Sequence, residues 1–217
     1  MQNFNRRPIK TRSQAWAQSL AGKLAKSRLS PNQISLYGIG FSFLGALSLV
    51  ISSYILSNCL LSGLLFIVAA VTVQLRLICN MLDGLVAIEY GKKSKLGDLF
   101  NEVPDRLEDP LFMVSAGYAT GTPTGVFLGW LAALLAVVTA YVRLLGGSLG
   151  LKQNFCGPLA KQQRMFLLTI TLLATSFQIW TIGSRSILFY GLLLISIGTF
   201  ITIVRRLVIL ARNLNKQ

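Results

Sequence analysis

The sequence contains no histidine, which removes the commonest general base and the commonest zinc ligand from any site that the chain forms. Its three cysteines, Cys59, Cys79 and Cys156, are scattered and lack metal-type spacing, so we interpret them as small apolar fillers. Acidic residues are also scarce: 7 Asp and Glu accompany 21 Lys and Arg, for a formal net charge of +14. Any catalysis by such a chain must therefore use carboxylates, lysine, hydroxyls or a hard metal ion.

Charged residues make up only 13% of the chain and hydrophobic residues 53%, whereas a soluble domain carries about a quarter charged residues. The positive charge is interpreted as basic residues that hold helix ends beside anionic lipid, so no nucleic-acid partner is expected. The first apolar run begins only near Ile34 and is long enough to span a membrane, which argues against a cleavable signal peptide.

The apolar runs predict an all-α integral membrane bundle of about six transmembrane helices, with an N-terminal amphipathic surface helix. We treat residues 1–217 as a single membrane domain, with the surface helix in 1–29 and the bundle in 30–212. Ser30 and Pro31 form a cap-and-proline signal that opens the first span. The predicted helices cover about 31–56, 60–90, 96–119, 126–145, 165–182 and 187–210.

The distribution of basic residues predicts the orientation of the chain. The N-terminus, the 91–95 loop, the 146–164 loop and the C-terminus are basic, whereas the other three connections hold one basic residue, Arg185. This pattern predicts that both termini are cytoplasmic. A short compact chain of this kind suits a bacterial inner membrane.

All seven acidic residues lie between Asp83 and Asp109. A solvated loop explains Glu89, but it does not explain Asp83 or Asp105, which lie on helix ends flanked by apolar residues. Because acids are costly in membrane helices, they mark function by default. The sequence therefore predicts the functional site in this segment.

Steps of three and four residues place polar side chains on single faces of two consecutive helices. Asn101 and Asp105 share a face of the second helix, with Gly97 one turn earlier. The basic loop between the helices folds the two faces onto each other, and their oxygen ligands suit Mg²⁺ or Mn²⁺ rather than zinc. The face of the first helix consists of Arg76, Asn80, Asp83, Gly84 and Ala87.

The stretch from Asn80 to Asp105 resembles the signature of the CDP-alcohol phosphotransferase family, D-x2-D-G-x2-A-R-x8-G-x3-D-x3-D. Asp83, Gly84, Ala87, Gly97 and Asp105 match that signature with every spacing preserved, and the run from Ser30 to Ser35 resembles the Pro-Asn motif of the family. The sequence departs from the signature at three positions, where Asn80, Ile88 and Asn101 replace Asp, Arg and Asp.

The resemblance implies transfer of a phosphatidyl group from a CDP-linked lipid, such as CDP-diacylglycerol, to a polar alcohol, with release of CMP. It implies Asp105 as the catalytic base and a Mg²⁺ or Mn²⁺ site, with Glu102 as a substitute ligand for the missing carboxylates. Membrane lipid surrounds the protein, and a homodimer is the family expectation. The implied metal site comprises Asn80, Asp83, Asn101, Asp105 and Glu102, and the implied nucleotide site comprises Asn32, Gly84, Ala87 and Arg76.

Arg143, Lys161 and Arg164 flank the 146–164 loop, where related enzymes bind the phosphate of an acceptor. These residues are candidate acceptor ligands, although ordinary positive-inside topology explains them equally well.

Two other functions stay open at this stage. The loss of two carboxylates and one arginine favours a non-catalytic relative that binds nucleotide or lipid without turnover. A small transporter is the other alternative, but the acids cluster at one membrane end instead of lining a path, and no paired broken spans occur in two halves.

Overall fold

The computed structural model describes residues 14–27, 29–55, 57–92 and 96–215, with the side chains of Asp98 and Asn101 outside the described part. Within these ranges the chain forms seven α-helices and no strand. The predicted all-α bundle with an N-terminal surface helix is confirmed. The helices are α1 Ala15–Lys26, α2 Pro31–Tyr54, α3 Cys59–Glu89, α4 Gly97–Ala119, α5 Pro123–Ser148, α6 Lys161–Ile182 and α7 Ser186–Leu214.

Five of these helices, α2, α3, α5, α6 and α7, are long and apolar enough to cross a membrane. The chain is therefore an integral membrane protein. α4 is the sixth helix of the bundle, but it carries acidic residues and two internal prolines, Pro104 and Pro110. A proline inside a helix supplies no N–H to the carbonyl four residues earlier, so each one removes a backbone hydrogen bond from α4.

The six long helices close into a ring. Around it, α2 contacts α3, α3 contacts α6, α6 contacts α7, α7 contacts α5, α5 contacts α4, and α4 returns to α2. The middle of the ring is filled by apolar side chains that include Phe66, Phe112, Leu172 and Leu192, all fully buried. The ring thereby brings α3, α4 and α6 together at one end, although α5 and the loop that follows it separate α4 from α6 in the sequence.

Two glycines set the distance between α4 and α5. A Cβ on Gly129 would lie 2.7 Å from the Cα of Gly117 and 2.7 Å from the carbonyl oxygen of Met113. These neighbours are backbone atoms that cannot rotate away. The absence of a side chain at Gly129 therefore permits the contact of these two helices.

α1 lies against α3, with Ala17 and Ala21 fully buried in a cluster around Leu85. The side chain of Lys92, just after α3, donates to the carbonyl oxygen of Ala25 at 2.7 Å. A cation at the C-terminal end of a helix interacts favourably with its terminal carbonyls. Residues 1–13, which carry the first basic residues of the predicted surface helix, lie outside the described part.

At the opposite end of the ring, Arg185 joins three helix ends. Its guanidinium donates to the carbonyl oxygens of Ala119 at 2.9 Å and Ser52 at 2.7 Å, and to the hydroxyl of Ser62 at 2.9 Å. The two carbonyls belong to the last turns of α4 and α2, where carbonyl groups lack helical donors. Arg185, the one basic residue in the three connections that are not basic loops, thus has a structural role.

Candidate functional site

Polar side chains converge at the end of the ring where α3 ends and where α4 and α6 begin. We call this set the polar cluster. The two oxygen-bearing helix faces predicted from the sequence meet within it, because Asn80 on α3 donates to Asp105 on α4 at 2.7 Å. The polar cluster consists of Arg76, Asn80, Asp83, Asp105, Glu108, Asp109, Lys161 and Arg164.

Asp105 lies at the centre of the polar cluster. Its Oδ1 accepts hydrogen bonds from the amide of Asn80 at 2.7 Å, from Nη2 of Arg76 at 3.3 Å and from the ammonium group of Lys161. Its side chain is 18% exposed, so it is the most open carboxylate of the cluster's α4 residues. The residue predicted as the base is therefore positioned by three donors at the accessible edge of the cluster.

Arg76 forms the buried part of the cluster. Its side chain is fully buried, and it pairs with Glu108 through Nε and with Asp109 through Nη2, the latter at 2.6 Å. The second oxygen of Asp109 pairs with Arg164, which is itself 3% exposed. Buried charges persist when they are paired and hydrogen-bonded in this way. The geometry favours a structural role for Arg76 and Arg164, in place of the nucleotide and acceptor roles predicted for them.

A hydrogen bond from a residue of α2 fixes the side chain of Asp83. The hydroxyl of Ser35 donates to Oδ2 of Asp83 at 2.6 Å, and the carboxylate is almost fully buried. Among the described residues, Oδ1 of Asp83 and Oε1 of Glu108 are buried and have no hydrogen-bond partner. A buried acceptor without a donor is costly. These two oxygens are therefore available to a cation.

Glu102 lies on the more exposed side of α4, apart from these buried pairs. Nη2 of Arg143 donates to both of its carboxylate oxygens, at 2.8 and 2.7 Å, and Arg106 pairs with Oε2. Arg143 also donates to Gln153 in the loop before α6 at 2.9 Å. The structure therefore places Glu102 next to a predicted acceptor residue rather than beside Asp83.

The remaining predicted residues lie at the same end of the ring. Asn32 is in the first turn of α2, between the capping-box residues Ser30 and Gln33. Gly84 and Ala87 are half-buried on the last turns of α3. The side chain of Asn101, one turn before Asp105 on α4, lies outside the described residues.

Sequence reasoning assigned no role to two residues of this region, Ser35 and Glu108. Ser35 stands in the Pro-Asn motif but was not recognised as the partner of Asp83. Glu108 follows Asp105 by three residues, so helical periodicity alone could have placed it on its face.

Among the described side chains, no three of His, Cys, Asp and Glu form a metal-type cluster. The cluster nevertheless contains oxygens of the kind that a hard cation takes: the unpartnered oxygens of Asp83 and Glu108 and the amide oxygen of Asn80. An ion bound there would neutralise buried negative charge.

Comparisons with known proteins agree with this architecture. No protein-family model matches the chain. An uncharacterized protein of Aquifex aeolicus (strain VF5) is 28% identical over 190 residues, which cover 86% of this chain and 85% of the relative. The inner membrane protein YnbA of Escherichia coli (strain K12) is 22% identical over 144 residues, which cover 66% and 67%.

Among solved structures, the phosphatidylinositol phosphate synthase PgsA1 of Mycobacterium tuberculosis with CDP-DAG bound superposes with a TM-score of 0.72. The match covers 89% of this chain and 92% of the synthase at 20% identity. The chain has the fold of this synthase. The same synthase in complex with manganese and citrate gives a TM-score of 0.70 at 20% identity, covering 89% and 88%. The synthase fold is the one that the signature resemblance implies, and this prediction is confirmed.

Proposed function

We propose that this chain is a CDP-alcohol phosphotransferase, which transfers a phosphatidyl group from a CDP-linked lipid to the hydroxyl of a polar alcohol. One observation carries the proposal: the matched signature positions Asp83 and Asp105 lie in one polar cluster, on a fold shared with a synthase solved with CDP-DAG. The Asn80 and Asn101 departures keep oxygen donors at their positions.

In the proposed reaction, the acceptor oxygen forms a bond to the lipid-side phosphorus and the bond from that phosphorus to CMP breaks. The hydroxyl proton passes to Asp105, whose carboxylate serves as the base in a chain without histidine. Asn32, Gly84 and Ala87 line the nucleotide side, at the ends of α2 and α3 that face this cluster. A bound Mg²⁺ or Mn²⁺ would offset the negative charge of the pyrophosphate.

The acceptor enters, in this proposal, beside Arg143. A cavity lined by Arg143, Lys152, Asn154 and Arg206 opens between the ends of α5 and α7 and the loop before α6. Of the three predicted acceptor residues, Arg143 lines this cavity and also pairs with Glu102. Arg143 is accordingly the leading acceptor ligand, and Lys161 pairs with Asp105.

The basic residues at this end of the ring support a cytoplasmic location for the site and for both termini. YnbA, an inner membrane protein, supports a bacterial inner membrane as the location. A homodimer remains the family expectation.

The test is CMP release by purified protein in mixed micelles, with CDP-diacylglycerol, Mn²⁺ or Mg²⁺, and a panel of polar alcohols. Asp83→Ala and Asp105→Ala are measured in parallel. We expect release that depends on the metal and on one acceptor and is lost in both variants. Retained binding of the CDP-lipid without release in the presence of any alcohol would instead support the non-catalytic alternative.

A further inference from the structure

The three residues predicted to bind the acceptor are all cations, and each of them pairs with a carboxylate of α4. The pairs are Arg143 with Glu102, Lys161 with Asp105, and Arg164 with Asp109. The three carboxylates follow one another at steps of three and four residues, so they share one face of α4. This face therefore offsets the positive charge that would attract an anionic group of an acceptor.

The guanidinium of Arg143 is occupied at the end with which an arginine binds a phosphate. Its Nη2 donates to both carboxylate oxygens of Glu102, at 2.8 and 2.7 Å, and its Nη1 donates to Gln153 at 2.9 Å. The ring of Phe155 lies beside the same guanidinium, with its centroid 5.4 Å away. Because arginine binds phosphate through two parallel hydrogen bonds of this fork, a phosphate would have to displace Glu102.

Arg206 of α7 lines the same cavity, and its donors also contact the protein itself. Its Nε donates to the carbonyl oxygen of Cys156 at 2.9 Å, and its Nη1 donates to the carbonyl oxygen of Thr139 at 2.9 Å. These bonds connect α7 to α5 and to the loop before α6. Arg206 therefore stabilises the walls of the cavity, and it is only 4% exposed to a ligand.

Glu102 is the carboxylate of these pairs that stays accessible. Its side chain is 37% exposed, compared with 18% for Asp105 and 6% for Asp109. Among the described residues its Oε1 accepts one hydrogen bond, whereas a carboxylate oxygen has two lone pairs. Arg106, one turn later on α4, pairs with Oε2 and helps to fix the side chain. Glu102 can therefore accept a further hydrogen bond, and the signature specifies no residue type at its position.

We infer that the acceptor of this chain is an uncharged alcohol without a phosphate group, and that Glu102 sets this preference. The inference rests on the proposed function and on Arg143 as its acceptor ligand. One hydroxyl of the acceptor donates to Glu102 while another reacts, so the acceptor is a polyol. A phosphate at the same place would meet the like charge of Glu102, and repulsion of this kind discriminates between two ligands.

The test compares matched pairs of acceptors in the measurement of CMP release from CDP-diacylglycerol with Mn²⁺. The pairs are glycerol with glycerol phosphate and inositol with inositol phosphate. For at least one pair, we expect kcat/KM for the alcohol to exceed that for its phosphate ester by about tenfold or more. Glu102→Ala, which exposes the guanidinium of Arg143, should lower this ratio by about tenfold, and the isosteric Glu102→Gln should lower it less. Glu89→Ala removes a carboxylate at the exposed end of α3 and should keep the ratio of the wild type.

A second measurement separates this role of Glu102 from that of a metal ligand. Mn²⁺ binding to the protein in micelles, measured by electron paramagnetic resonance, should be the same in Glu102→Ala and in the wild type. Loss of Mn²⁺ binding in that variant would overturn the inference.

Two further results would overturn the inference and leave the transferase proposal standing. The first is a wild type that uses both phosphate esters at least as well as the alcohols. The second is an unchanged ratio in both Glu102 variants. Absence of CMP release with every alcohol and every phosphate ester would reject the transferase, and the inference would fall with it.

Discussion

Lys161 at the start of α6 donates to Asp105 of α4, and 56 residues separate the two partners in sequence. The ammonium group shares Oδ1 of Asp105 with Asn80 and Arg76. The proposed base is therefore paired with a cationic side chain of the protein itself. Its charge compensates for carboxylates and, in the proposed reaction, for donor phosphates.

We predict opposite effects of Lys161→Met on turnover and on metal binding. Turnover, measured as CMP release, should fall at least tenfold because Asp105 and the donor phosphates lose a compensating cation. Mn²⁺ binding should tighten by roughly tenfold because a like charge near the ion is removed. Lys161→Arg keeps the charge and should lie near the wild type in the binding measurement. Parallel losses of turnover and of Mn²⁺ affinity in Lys161→Met would contradict this assignment.

Asp109→Asn should destabilise the protein strongly. Asp109 neutralises two buried guanidinium groups, those of Arg76 and Arg164, and removal of one partner from a buried ion pair costs about 3–5 kcal/mol. Thermal unfolding in detergent measures the effect. The matched variant is Glu102→Gln, whose side chain is 37% exposed and whose loss should cost no more than about 1 kcal/mol. Equal melting temperatures for the two variants would refute the buried network.

Ser35→Ala should reduce activity without disturbing the fold. The hydroxyl donates to Oδ2 of Asp83 at 2.6 Å, and a hydrogen bond to a charged group contributes about 1.5–3 kcal/mol. We therefore expect kcat/KM for CMP release to fall by at least roughly tenfold. Ser42→Ala is the control, because that buried hydroxyl donates to the carbonyl of Gly38 in its own helix at 2.9 Å. Similar kcat/KM values in both variants would argue against a role for Ser35 in holding Asp83.

Gly129→Ala should force α4 and α5 apart. The added Cβ would meet backbone atoms of Gly117 and Met113 at 2.7 Å, and overpacking of this kind costs about 1–3 kcal/mol. The melting temperature in detergent should fall accordingly. Gly40→Ala makes the same chemical change in open space and should leave it unchanged. A Gly129→Ala protein as stable as Gly40→Ala would show that the two helices pack differently.

Hydropathy, helix-capping motifs and helical spacing in the sequence predicted most of the fold. The serine cap and proline at 30 and 31 begin α2 where expected, and each of the six predicted bundle helices exists. Helical periodicity also predicted that the faces carrying Asn80 and Asp105 would meet. These features depend on hydropathy and on spacing within one or two neighbouring helices, which the sequence displays directly.

The pairing of charges could not be predicted in the same way. Which carboxylate accepts from Lys161 or Arg164 depends on how α6 packs against α3 and on where the ring closes, and no local pattern encodes that choice. Arg76 was predicted to belong to the nucleotide site. The structure instead surrounds it with carboxylates of α4.

The bonds of Arg185 have a consequence for genetic experiments on this protein. One cation satisfies carbonyls at the ends of α2 and α4 and reaches α3 through Ser62. Ser62 and Asp83 are separated by a helical segment roughly 30 Å long, so Arg185 is remote from the chemistry. A screen scored only by cell growth or total activity would nevertheless group Arg185 with the site residues. Measuring the amount of folded protein together with CMP release distinguishes a variant that destabilises the helix ends from a variant that damages the site.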